Sequence, residues 1–313
     1  MKRQVLFTLL VFLTACTAQA TPFPSPKPTE TPARIVPTPR YDVPTQGQVT
    51  VTNEAAKRAT STPTVEAEQV TATPNLDAWM SLPVRPEAGV NIREIYERGI
   101  ALGNDPNAFS IFGDCQAEPQ EFLGVYDTDE SLVESLPPDL QETVAHFAGS
   151  FERESPTAQD GTTPGALLWD QWHRGEYGCS FGETPVDCEL RVHRPSFVII
   201  QIGSHFESRN TEYLRRVIDQ LLARGVVPIL ATKADNRELD HRVNRDMALL
   251  ADEFDLPLWN FWAAVSNLPD RGLYVMKGRE LQGAIYLTDE AKIIHRETGL
   301  DALNIVWRAV GQP

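Results

Sequence analysis

Positive charge is scarce in this chain. Against 43 Asp and Glu there are 28 Lys and Arg in 313 residues, for a formal charge of −15. A surface this acidic argues against nucleic acid as a partner and against lying flat on anionic lipid. Cysteine is rare as well, four in all, and neither these nor the histidines fall at zinc-type spacing. HExxH and the glycine pattern of a phosphate loop are missing too, so no motif calls for a metal, a nucleotide or any other cofactor. There is no strong internal repeat.

What is present begins with "MKRQVLFTLLVFLTAC". Lys2 and Arg3 form a positive n-region and Val5 to Leu13 an apolar core, a pattern that reads as an export signal too short to span a bilayer. Leu13, Thr14 and Ala15 before Cys16 match a bacterial lipobox. Residues 1–15 are therefore expected to be a lipoprotein signal peptide, with Cys16 acylated and the chain anchored to the outer face of the cytoplasmic membrane through lipid alone. Cleavage after Ala20 is the alternative and would release a secreted protein. Residues 16–88 are rich in Thr and Pro, which remove amide donors and offer too little apolar surface for a core, so a disordered tether is expected there. Residues 89–313 suit one domain with a sizeable core, monomeric by expectation.

Cys179 and Cys188 flank the polar loop "CSFGETPVDC" and are expected to pair in an oxidising compartment, two free thiols being the alternative. Cys115 is then the odd cysteine. It follows a short apolar strand, "FSIFG" (Phe109 to Gly113), at a bend of the kind that mounts nucleophiles.

Periodicity orders the rest. A helix over Val90 to Leu102 precedes that strand. Phe197 to Ile202 is a continuous apolar run, as in a parallel strand buried on both faces. Asn210 to Gly225 reads as an amphipathic helix stopped by glycine. Val226 to Thr232 is a second buried strand, Arg237 to Phe254 a second helix, Leu256 to Trp262 a final strand, and Asp301 to Val310 a closing helix. Such alternation predicts an α/β domain with a parallel sheet covered on both faces, and sites at the carboxyl ends of its strands: Cys115, Gly203 to His205, and Lys233 to Asp235.

Four blocks in order resemble the SGNH (GDSL-type) hydrolases: "FSIFGDCQ", "RPSFVIIQIGSHFE", "GVVPILATKAD" and "LPLWNFWAAV". The segments "SFERES", "CEL" and "RPS" are similar to those of exported bacterial members. The resemblance implies a flavodoxin-like three-layer α/β/α sandwich. It also implies a serine nucleophile with a histidine base and an orienting aspartate, and an oxyanion hole made by the serine amide, a glycine amide and an asparagine side chain. Carried onto this chain, the serine position holds Cys115. The glycine is Gly161, with Gly165 as the alternative, and the asparagine position holds His205. "GAIYLT" stands where Asp-x-x-His-Leu-Thr would be, so Gly283 replaces the aspartate and Tyr286 the histidine. Glycine has no carboxylate, and a tyrosine with a pKa of ~10 is a poor base at neutral pH.

These departures lead to the expectation of an extracytoplasmic hydrolase-like lipoprotein without ordinary ester hydrolysis, binding a glycan, an acyl group or another cell-envelope ligand in the old pocket. One alternative is an active cysteine enzyme, an acyl-ester or thioester hydrolase or acyltransferase. In it Cys115 would be activated by a helix N-terminus, with His205 or a displaced His295 as base. The other is a structural envelope protein. His295 is otherwise expected on a solvated surface, and Asp114 in a turn or capping the next helix. Trp259, Phe261 and Trp262 are expected in the core, and Trp169 and Trp172 are the better candidates for stacking on a ligand.

Overall fold

A computed structural model describes residues 77–89 and 91–311. The signal peptide, Cys16 and most of the tether lie outside the described residues. Among these, no helix is long and apolar enough to cross a membrane.

In chain order the elements are α1 (Ile92–Leu102), β1 (Asp105–Gly113), α2 (Val125–Thr128), α3 (Glu130–Glu134), α4 (Pro138–His146), α5 (Pro185–Val192) and β2 (Pro195–Gln201). Next come α6 (Asn210–Ala223), β3 (Val227–Ala231), α7 (Arg242–Phe254), β4 (Leu258–Trp259) and α8 (Phe261–Ala264). Last are β5 (Leu273–Val275), β6 (Ala284–Leu287) and α9 (Asp289–Gly311). Strands β1-β2-β3-β4 form one parallel sheet in that order, with Phe109 opposite Phe197, Phe197 opposite Val227, and Leu230 opposite Leu258. β2 and β3 are buried at every position, which is why their sequences run apolar without alternation. On one face Phe197 stacks on Tyr96 of α1 and meets Phe147, which in turn meets Trp307 of α9. On the other, α6 and α7 pack beside β3, α6 through Leu214, Val217, Ile218 and Leu221. The domain is thus α/β, a parallel sheet between two helical layers.

Several expected boundaries move. The folded domain includes residues assigned to the tether. Trp79 is buried edge-on against Trp262 at 5.6 Å, and Asn260 Nδ2 donates to the carbonyls of Trp79 and Leu82 at 3.0 and 2.9 Å. The same Asn260 ends β4 early, because its side-chain oxygen accepts from the Ala263 amide and starts α8. Helix α7 starts at Arg242 rather than Arg237, since Leu239 and His241 take positive φ while Glu238 turns inward. The closing helix begins at Asp289 and runs through Gly299. A Cβ at Gly299 would stand 2.5 Å from the Phe122 ring and 3.1 Å from Trp259, so glycine there lets α9 lie directly on those rings.

That contact corrects the surface placement of His295. Its side chain is fully buried, stacked on Phe122 with ring centroids 4.1 Å apart and flanked by Phe261 and Trp259. Its Nε2 meets Gln201 Oε1 at 2.5 Å, tying α9 to the end of β2. Burial holds its pKa well below the ordinary 6.5, so the ring is neutral. Trp259 and Phe261 are core residues as expected, and Trp262 packs with Trp79.

Candidate functional site

β1 ends at Gly113, and the next two residues turn over the sheet's carboxyl edge. Asp114 does not cap a following helix. It is buried, and its Oδ2 accepts the backbone amides of Gly203, Ser204 and His205 at 3.1, 2.9 and 3.2 Å. The loop after β2 is thereby folded around one carboxylate. Gly203 is needed for this, because its φ is +141° and a Cβ would fall 2.3 Å from Val243. Burial and then Asp235 raise the Asp114 pKa, against the opposing pull of the Gly203 and His205 amides and of the His205 side chain.

A second layer sits behind this loop. Ser204 Oγ donates to Asp235 Oδ2 at 2.5 Å, and Lys233 Nζ reaches Asp235 at 2.7 Å and Glu238 at 2.6 Å, all buried. Asn244 holds the Lys233 backbone with two bonds, at 2.8 and 2.9 Å. The ion cluster at the end of β3 therefore positions the Gly203–His205 loop.

Cys115 is 8% exposed and forms part of a polar cavity of about 180 Å³. At about 30 Å³ per liquid water this admits a small polar ligand or the end of a larger one. Burial and then the carboxylates of Asp114, Asp160, Asp235 and Glu118 push the thiol pKa well above its ordinary value. The activating helix N-terminus is not there either: residues 114–124 are turns, and the next helix is the single turn at Val125–Thr128.

His205 does come to Cys115. One side-chain atom each of Asp114, Cys115 and His205 lie within 4.8 Å of one another. Its Nε2 stands 3.9 Å from Asp160 Oδ1, and its Nδ1 is buried without a hydrogen-bond partner. Tyr286 also lines the cavity, but its hydroxyl donates to Gln282 and accepts from Arg279 at 3.2 Å. Burial moves its pKa up, away from service as a base. Gly283 takes φ +77° just before β6, with nothing within 4 Å of a would-be Cβ. His295, sealed in the core, does not line this cavity.

Gly161 borders a different groove, with Trp169, Trp172 and Glu207, in which Trp169 is 52% exposed. The alternative glycine has a committed amide, since Gly165 N–H donates to Glu207 Oε1 at 2.8 Å. Cys179 and Cys188 are bonded, and Cys115 is the free cysteine among the described residues.

Sequence reasoning missed the far wall of the cavity. The antiparallel pair β5–β6 brings Tyr274, Met276 and Arg279 opposite Cys115. Arg279 pairs with Asp160 at 2.8 Å, and the Asp160 amide donates to Glu118 Oε1 at 2.8 Å. Lys292 of α9 pairs with Glu121 at 2.5 Å. Nothing local marks these residues; they converge from four separate segments. Compared with family models and with curated proteins, the chain finds no match.

Proposed function

We propose that this is an exported, lipid-anchored protein of SGNH type that binds a small polar cell-envelope ligand in the Cys115 cavity and does not hydrolyse esters by the family's chemistry. One observation carries this reading: among the described residues, none is engaged as a base with the Cys115 thiol. His205 Nδ1 makes no hydrogen bond, the Tyr286 hydroxyl is committed to Gln282 and Arg279, and burial together with the surrounding carboxylates holds the sulfur protonated. General-base activation needs contact at roughly 3 Å. The cavity's paired charges, Arg279 with Asp160 and Lys292 with Glu121, instead suit a ligand carrying both donors and acceptors. Hydrolysis of short activated acyl esters and thioesters by the native chain and by Cys115→Ala tests it. Turnover that vanishes with Cys115→Ala would overturn it.

A second reading has one observation in its favour. Cys115, His205 and Asp160 stand in the order of a nucleophile, a base and an orienting carboxylate, with Nε2 at 3.9 Å from Asp160. If a bound substrate draws His205 onto the sulfur, the site becomes a cysteine acyl hydrolase or acyltransferase. The same assay separates the two, because only this reading makes turnover depend on both Cys115 and His205.

A further inference from the structure

Asp114 and Cys115 are neighbours in sequence, and His205 lies 91 residues beyond Asp114. The register of β1 with β2, Gly113 opposite Gln201, brings all three to one point at the sheet's carboxyl edge. Their nearest carboxylate oxygen, sulfur and imidazole nitrogen lie within 4.8 Å of one another. In a tetrahedral zinc site, with Zn–S of about 2.3 Å and Zn–N and Zn–O of about 2.0–2.2 Å, ligand atoms stand roughly 3.4–3.6 Å apart. Binding therefore requires the three atoms to close by at most about 1.4 Å.

Two buried polar atoms here lack partners, and with Nδ1 unprotonated both are acceptors that an electropositive ligand would satisfy. His205 Nδ1 is one. The other is Gln116 Oε1, on a side chain only 5% exposed that lines the Cys115 cavity, while its Nε2 is fixed on the Ile285 carbonyl at 2.5 Å. Asp114 is pre-positioned as well: Oδ2 is saturated by three amides, and Oδ1 has only a 3.5 Å contact from the Gln116 amide.

We propose that Asp114, Cys115 and His205 bind Zn²⁺ beside this cavity, with one coordination position open to it. A thiolate, an imidazole and a carboxylate form a set that suits Zn²⁺ and not Ca²⁺ or Mg²⁺, which take oxygen. Nδ1 is the ligating nitrogen, and Nε2 faces the Asp160 carboxylate, the arrangement that orients a metal-bound imidazole. On binding, the Cys115 S–H bond breaks, its proton goes to water and the Zn–S bond forms, so affinity rises with pH. The proposal goes beyond the ligand-binding reading and does not depend on it.

The test is titration of the purified, chelator-treated chain with Co²⁺, followed by displacement with Zn²⁺. A thiolate-to-cobalt charge-transfer band should appear at one equivalent and bleach with Zn²⁺. It should persist in Cys16→Ser and be lost in Cys115→Ser. His205→Ala should weaken Zn²⁺ at least tenfold. The proposal is overturned if the native chain gives no such band, if the band survives Cys115→Ser, or if His205→Ala binds Zn²⁺ as tightly as the native chain. None of these readouts is ester turnover, so the result bears on the metal alone.

Discussion

Acidification should loosen the domain through His295, and the size of the effect follows from its position. The ring is fully buried between Phe122, Phe261 and Trp259, and its folded pKa lies well below 6.5. In the unfolded chain it returns to about 6.5 and takes up a proton that the folded state refuses. The unfolded state therefore binds more protons, and stability rises with pH through the window below 6.5 and is lost as pH falls through it. Taking the folded ring as neutral throughout, lowering the pH from 7.5 to 5.5 costs about 1.4 kcal/mol from this one group. In a domain of this size that is roughly 3–6 °C in Tm. The assay is urea unfolding at pH 7.5, 6.5 and 5.5 for the native chain and for His295→Leu. The other titrating groups are common to both proteins, so the difference in pH slope isolates the ring. His295→Leu should be less stable at pH 7.5, because Gln201 Oε1 loses its donor, but its disadvantage should shrink by about 1.4 kcal/mol at pH 5.5. Identical pH slopes would refute the buried, neutral placement.

Three further outcomes are expected. Asp114→Ala leaves two buried amides and a part-buried one without an acceptor and should cost about 3 kcal/mol or more, whereas Asp114→Asn keeps an acceptor oxygen and should lose less than half of that; equal losses in chemical denaturation would contradict the loop-organising role. Cys115 should be alkylated slowly, at a nearly constant rate from pH 6 to 9, in the folded chain and rapidly once unfolded; a steep rise centred near pH 8 would mean that the thiol titrates normally. Cys16→Ala should release the protein from the membrane fraction or leave an unprocessed precursor, and unchanged processing and anchoring would remove the lipobox assignment.

What the residues revealed unaided, and what they did not, divides along the range of the interaction. β2, β3 and α6 were legible because burial on both faces, or on one helical face, writes a local pattern, and Gly225 marks where α6 gives way to β3. The Cys179–Cys188 bond follows from a short loop, and Cys115 was found at its strand end. His295 was misplaced although a signal existed: Ala291, His295, Ala302 and Val306 fall on one face of α9 and are all buried. Reading the helix from Asp301 alone hid that spacing. The end of β4 and the start of α7 were missed because Asn260 and Glu238 answer to partners far along the chain or to a buried lysine, not to local propensity. The approach of His205 to Cys115 was legible from their places at the strands' carboxyl ends, whereas Asp160 and Arg279 behind them come from a loop and from the β5–β6 hairpin, which no spacing in the sequence encodes.

The proposal is that Cys115 occupies a nucleophile's place without a nucleophile's activation. Its most direct test is steady-state hydrolysis of short activated acyl esters and thioesters in the presence of a chelator, comparing the native chain with Cys115→Ser and Cys115→Ala. All three should give the same background rate, since serine at this position needs a base even more than cysteine does and neither Tyr286 nor Gly283 supplies the missing parts. Turnover by the native chain that disappears in Cys115→Ala would contradict the account and make His205 the base.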